Sequence, residues 1–154
     1  GDIRARLSVV QQTREGSLKM AQTLYEKAGI DALCQPFFTD IDTHLERAHF
    51  IIARAGASTV SEIAHMGLPS LLVPLAIAMD DHQSVNASAL KNRNCADVLP
   101  ETRFTPEAVK NSLEQRLRDS TYLAAASRDA RSSAKLDATA RLADLVTSAI
   151  GTAT

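Results

Sequence analysis

Short apolar runs alternate with amphipathic stretches along most of this chain, and that alternation restricts the fold more than any other feature. Leu7–Gln11 reads as a buried strand, and Ser17 stands as a candidate N-cap for a helix ending at Gly29. Ala32–Phe38 reads as a second strand with Pro36 near its end, followed by a short helix over Asp40–Ala48. Phe50–Ala53, a helix over Thr59–Met66 stopped by Gly67, and Ser70–Val73 repeat the pattern. A helix over Asp81–Lys91 and a strand over Ala96–Leu99 complete it. Beyond Thr105-Pro106-Glu107, an N-cap with proline at the first helical position, the chain reads as helix almost to its end. Strands alternating with helices in this way predict right-handed βαβ crossovers and a parallel α/β sheet with helices on both faces.

Composition narrows the class of function. The 154 residues suit one domain with a sizeable core, and 45% hydrophobic with 23% charged residues is ordinary for a globular protein. A formal net charge of -1 gives no basic footprint, so nucleic acid is not an expected partner. No apolar run approaches the ~20 residues that cross a bilayer. Cys34 and Cys95 lie far apart without metal-ligand spacing and read as reduced thiols of a cytoplasmic protein. Neither a metal nor a cofactor is expected.

Two loops concentrate the chemistry. Arg54-Ala55-Gly56-Ala57-Ser58 follows the third strand and opens a helix. In open α/β sheets ligands bind beyond the carboxyl ends of the strands. Free N–H groups and the helix dipole favour an anion there, and small side chains let it approach. Glu62, about one turn further on, is placed to accept hydrogen bonds from vicinal hydroxyls such as those of a ribose. Thr59-x-x-Glu62 also fits a capping box, which stabilises a helix start without any ligand, and Gly56 also suits a tight turn. The second loop, Asp80-Asp81-His82-Gln83-Ser84-Val85-Asn86, carries the same ambiguity. Asp80-x-x-Gln83 fits a capping box, whereas Gln83 and Asn86 are amides one helical turn apart, suited to sugar hydroxyls.

Taken together, ARAGASTVSEIAHMGLPSLLVP and DDHQSVNA resemble the C-terminal domain of the MurG family, with its R-S-G-A-x-T-x-x-E-x-x-x-x-G-x-P and D-x-x-Q-x-x-N-A patterns. LSVVQQ, the KAGI segment and PFFTDI fall in the same order, so the resemblance spans nearly the whole chain. It implies a Rossmann-like sheet, the C-terminal half of a GT-B glycosyltransferase. The function it implies is binding of UDP-N-acetylglucosamine, the donor in transfer of N-acetylglucosamine to lipid I, which makes lipid II in peptidoglycan synthesis. By the same resemblance Glu62 holds the ribose hydroxyls. Gly56, Ala57, Ser58 and Thr59 meet the diphosphate, and Gln83, with His82 before it, lies near the sugar, beside the candidate amide Asn86. Phe37, Phe38 and Ile41 surround the uracil, although core packing explains Phe37 and Ile41 equally well.

Ala55 departs from the family's usual serine, and no glycine-rich loop or acceptor domain is found in the sequence. The expectation is therefore a partial domain over residues 1–154 that lacks its first βα unit. That leaves a gap at the centre or edge of the sheet. The catalytic base, the lipid I site and the contact with the inner face of the cell membrane are expected on the absent N-terminal domain. The terminal helices, residues 122–150, are expected not to pack entirely on this sheet. Alternatives are a separate nucleotide-sugar-binding subunit of a split transferase, a UDP-sugar epimerase of the same fold, or a plain interaction domain.

Overall fold

The computed structural model describes residues 3–75 and 82–134. Among these residues, five strands alternate with helices and a sixth helix follows: β1 (Ser8–Gln12), α1 (Glu15–Ala28), β2 (Asp31–Gln35), α2 (Ile41–Arg47), β3 (Ile51–Ala53), α3 (Ala57–Met66), β4 (Ser70–Leu72), α4 (His82–Lys91), β5 (Ala96–Val98), α5 (Pro106–Leu117) and α6 (Ser120–Ser133). All strand pairs are parallel. They form two sheets rather than one: β1 pairs with β2, and β4 lies between β3 and β5. Among the described residues β1 and β3 each have one neighbour, so each keeps an open edge. The fold class is α/β, as the alternation predicts.

Several boundaries differ from the sequence expectation for identifiable reasons. β2 ends at Gln35, because Pro36 has no N–H to continue a ladder. α1 starts at Glu15, two residues before Ser17, and the N–H of Ser17 already bonds the carbonyl of Arg14. Gly29 ends α1 in the left-handed conformation, φ 65°, as expected. Thr105 caps α5 as read, its hydroxyl accepting from the Ala108 N–H at 3.2 Å.

The core lies around β4, which is buried at every residue. Leu72 clusters with Ile63 of α3, Leu90 of α4 and Cys95, all fully buried, and Leu71 is fully buried as well. This is how a central parallel strand covered on both faces behaves. The alanine-rich face of α6 packs closely on α3, with Ala126 and Ala130 fully buried. At Gly67 the Arg131 side chain lies so close that an added Cβ would collide with its Cγ and Nε. Arg116 of α5 donates to both carboxylate oxygens of Asp97 on β5, each at 2.7 Å, and stacks 4.2 Å above the ring of Tyr122. Residues 122–133 thus pack on this domain's own core; the remainder of the expected terminal helices, 135–150, lies outside the described residues.

Candidate functional site

The backbone ladder of the three-stranded sheet ends where Val73 N–H bonds the carbonyl of Ala53 and Leu99 N–H bonds that of Leu72, both at 2.9 Å. Just beyond this line stand the loop 54–56, the segment after Leu72 and the short 3-10 turn Glu101–Arg103. The candidate residues of both loops gather on this carboxyl-end rim.

α3 begins at Ala57 with Gly56 as its N-cap, and no side chain caps it. Thr59 is therefore the third helical residue and Glu62 the sixth. The Thr59–Glu62 capping box is not formed, because both residues lie inside the helix. The N–H groups of Ala57, Ser58 and Thr59 have no carbonyl one turn earlier to bond. They point outward from the sheet's carboxyl end, where the helix dipole adds partial positive charge. Gly56 has φ -63° and ψ 153°, ordinary extended backbone, so the tight-turn reading of this glycine also fails. A Cβ there would make only an ordinary contact with Thr59 Oγ1 at 3.8 Å. Nothing among the described residues excludes a side chain at position 56. The Glu62 side chain is exposed and forms no hydrogen bond or ion pair with any described residue.

The second loop is more engaged. Gln83 accepts a hydrogen bond from the Leu75 N–H through Oε1 at 2.9 Å, so its carbonyl braces the approach to α4. Its NH₂ group has no partner among the described residues. Asp80, the other half of that candidate capping box, lies outside the described residues. Asn86 donates through Nδ2 to the carbonyl of Ala55 at 3.2 Å. That bond ties α4 to the loop before α3, so Asn86 acts between the two loops. His82 is exposed at the start of α4. Ala55, the departure from serine, is fully buried in the core.

The expected uracil positions separate. Phe37 is 69% exposed and Ile41 43% exposed, so plain core packing does not account for either. Phe38 is buried, edge-on to the His44 ring at 5.0 Å between centroids. It supports the loop from behind.

Sequence reasoning passed over Arg54. Its Nη2 donates to Glu101 Oε1 at 2.5 Å and its Nη1 to the carbonyl of Val73 at 3.3 Å. The available signal was its position directly after a strand, where a long side chain reaches the neighbouring strand ends. The rim itself is open. Two concavities, of about 250 and 340 Å³, lie instead around residues that precede β3, β4 and β5, including His49, Pro69 and Asn94.

A parallel α/β domain with an uncapped helix start and an unengaged carboxylate on its carboxyl-end rim belongs to the Rossmann-like, ligand-binding class. The chain is a member of the glycosyltransferase family 28 C-terminal domain family, whose profile matches residues 2–142. It is 47% identical over 144 residues to a protein of Maricaulis maris (strain MCS10), covering 94% of this chain and 39% of that one. It is 46% identical over 145 residues to one of Phenylobacterium zucineum (strain HLK1), covering 94% and 40%. Both relatives are named UDP-N-acetylglucosamine--N-acetylmuramyl-(pentapeptide) pyrophosphoryl-undecaprenol N-acetylglucosamine transferase. The crystal structure of Acinetobacter baumannii MurG superposes with a TM-score of 0.82 at 34% identity, covering 92% of this chain and 41% of that one. The chain thus spans about two fifths of the length of these proteins.

Proposed function

We propose that this chain is the donor-binding part of an inverting hexosyltransferase. The whole enzyme moves N-acetylglucosamine from UDP-N-acetylglucosamine to lipid I, making lipid II for the cell wall. The observation that carries the reading is the start of α3. Among the described residues, no side chain caps its first three N–H groups and nothing requires the small size of Gly56. In the next turn stands an exposed carboxylate with no partner among the described residues. A capping role for Thr59 and Glu62, the main competitor, requires a helix start three residues later than the one observed, with Thr59 rather than Gly56 as the N-cap.

In this reading Gly56, Ala57, Ser58 and Thr59 meet the diphosphate, Glu62 the ribose hydroxyls, and His82 and Gln83 the sugar. Phe37 and Ile41 supply an exposed apolar wall for the uracil, with Phe38 behind them. Charge that develops on the departing UDP is stabilised by the fixed N–H groups of α3, which need no reorganisation during the reaction. The general base, the lipid I site and the membrane-facing surface belong to the N-terminal part that the longer relatives contain, giving a cytoplasmic enzyme peripheral on the inner face of the cell membrane. No helix among the described residues is long and apolar enough to cross a membrane. A doubly wound sheet in the order 3-2-1-4-5-6 maps onto β2-β1, one open position, then β3-β4-β5. A preceding βα unit fills that position in the intact enzyme, which makes residues 1–154 a partial domain.

Glu62→Gln tests the reading. Glutamine is as good a helix former as glutamate, so the melting temperature stays nearly unchanged. Two charge-assisted hydrogen bonds, each worth ~1.5–3 kcal/mol, lose their ionic component. In the intact enzyme the Kd for UDP and the KM for UDP-N-acetylglucosamine rise ten-fold or more, one decade being ~1.4 kcal/mol. Gln83→Ala weakens UDP-N-acetylglucosamine binding and leaves UDP binding almost unchanged. UDP binding to Glu62→Gln as tight as to the parent overturns the proposal.

A further inference from the structure

We propose that Arg54 is a positioning residue of the donor site, acting as a cross-brace that fixes the α3 start relative to the loops after β4 and β5. The inference rests on the donor-binding reading above and extends it to a residue that need not touch the ligand. The backbone ladder stops at Ala53–Val73 and Leu72–Leu99. Arg54 is the next residue along, and its guanidinium continues the cross-links by side chain. One nitrogen bonds the carbonyl of Val73, itself a buried residue, and the other bonds the carboxylate of Glu101. A single planar group therefore spans the carboxyl ends of β3, β4 and β5. From the other side Asn86 holds the carbonyl of Ala55, the adjacent residue. The loop that leads into α3 is thus gripped at two consecutive positions from two directions. The N–H groups it presents have no side-chain cap to hold them in place.

The chemistry demands arginine. Two acceptors in different directions suit the rigid fork of a guanidinium, whereas a lysine ammonium is a point charge on a flexible stem. The Arg54 and Glu101 side chains are 48% and 31% exposed, so the ion pair alone belongs to the modest class worth ~0.2–1 kcal/mol. The expected effects are correspondingly a few-fold. They appear at the site rather than in global stability.

The experiment compares Arg54→Ala, Arg54→Lys, Glu101→Ala and the Arg54→Ala/Glu101→Ala double variant in the intact enzyme. Hydrogen exchange of the Val60 amide, which bonds the carbonyl of Gly56 at 2.9 Å and is the first protected amide of α3, is followed without ligand, and UDP binding is measured by calorimetry. Each single variant should speed the exchange and raise the Kd for UDP by about three-fold, or about 0.7 kcal/mol at ~1.4 kcal/mol per decade. The double variant should be no worse than Arg54→Ala alone, because Glu101 contributes to the brace through its contact with Arg54, which Arg54→Ala already removes. Arg54→Lys should behave like Arg54→Ala. Full function in Arg54→Lys, or additive losses in the double variant, shows that Arg54 acts by its charge on the ligand and overturns the brace. A fall in melting temperature with exchange and Kd unchanged overturns it equally. If the parent enzyme binds no UDP, the donor reading falls, and the amide exchange still decides whether Arg54 holds the rim.

Discussion

β1 and β2 alternate between exposed and half-buried or buried residues, whereas β4 is buried throughout. α1 has no buried residue, and Met20 and Leu24 on it are about 60% exposed. α3, of ten residues, buries Ile63 and Ala64. Both regions follow the same βαβ grammar, yet among the described residues only the second has a neighbour for each face. Val10, Leu33 and Ile52, each more than 40% exposed, lie on the first sheet and on the open-edged strand of the second. Local pattern thus makes the elements, but burial depends on which layers are available to cover them. The candidate diphosphate and ribose groups lie on the well-covered region, and the candidate uracil residues lie on the connection between the two.

The largest test of this contrast replaces one leucine in each region. Leu72→Ala removes a fully buried side chain from the three-stranded sheet and should lower unfolding stability by about 2–5 kcal/mol in urea titrations. Leu24→Ala removes an exposed one and should change stability by no more than ~0.5 kcal/mol. A loss above about 1 kcal/mol at Leu24 breaks the contrast, since it requires a covering surface on α1.

A sharper comparison uses two glycines with the same backbone. Gly29 and Gly67 end α1 and α3 at φ 65° and 69°. A Cβ on Gly29 meets nothing within 4 Å, whereas one on Gly67 collides with the Arg131 side chain. Gly29→Ala should cost only the left-handed penalty, about 1–2 kcal/mol. Gly67→Ala should cost more, and Arg131→Ala in the same chain should return it to the Gly29→Ala value. Equal losses at the two glycines would mean that α6 moves off α3 without penalty.

The fold was legible because strands and helices differ in period, and because Gly29, Gly67 and Thr105-Pro106 punctuate the chain as their chemistry requires. Two features escaped. The helix start at Ala57 was read two residues late, since Thr59-x-x-Glu62 satisfies a capping pattern that only the backbone can refuse. The split into two sheets was expected only as a gap of unspecified place, because pairing partners far apart in sequence leave no local trace. At the site, the residue types of both loops were readable. Which amides were already engaged was not: Gln83 bonds back to Leu75 across the β4–α4 connection, Asn86 with Ala55 links two loops, and Arg54 with Glu101 spans 47 positions.

The smallest predicted effect concerns alkaline pH and the covered region's thiol. Burial pushes the Cys95 thiol above its ordinary value of 9.0, and its Sγ–H donates to the carbonyl of Leu90 at 3.1 Å. A group whose folded pKa is raised contributes stability that is complete below its unfolded pKa and is lost as pH climbs toward the folded value. Here the unfolded chain ionises from about pH 9 upward, while the buried thiol resists, so the loss sets in there. The fall in Tm between about pH 8 and pH 10.5 should be smaller in Cys95→Ala than in the parent, even though the variant starts from a lower Tm for want of packing. Tyr25 and Tyr122, also raised mainly by burial, start from 10.0 and leave a residual slope at the top of that range in both proteins. Parallel Tm profiles for the two proteins would show that water reaches Cys95 and that the core around β4 is less closed than its burial implies.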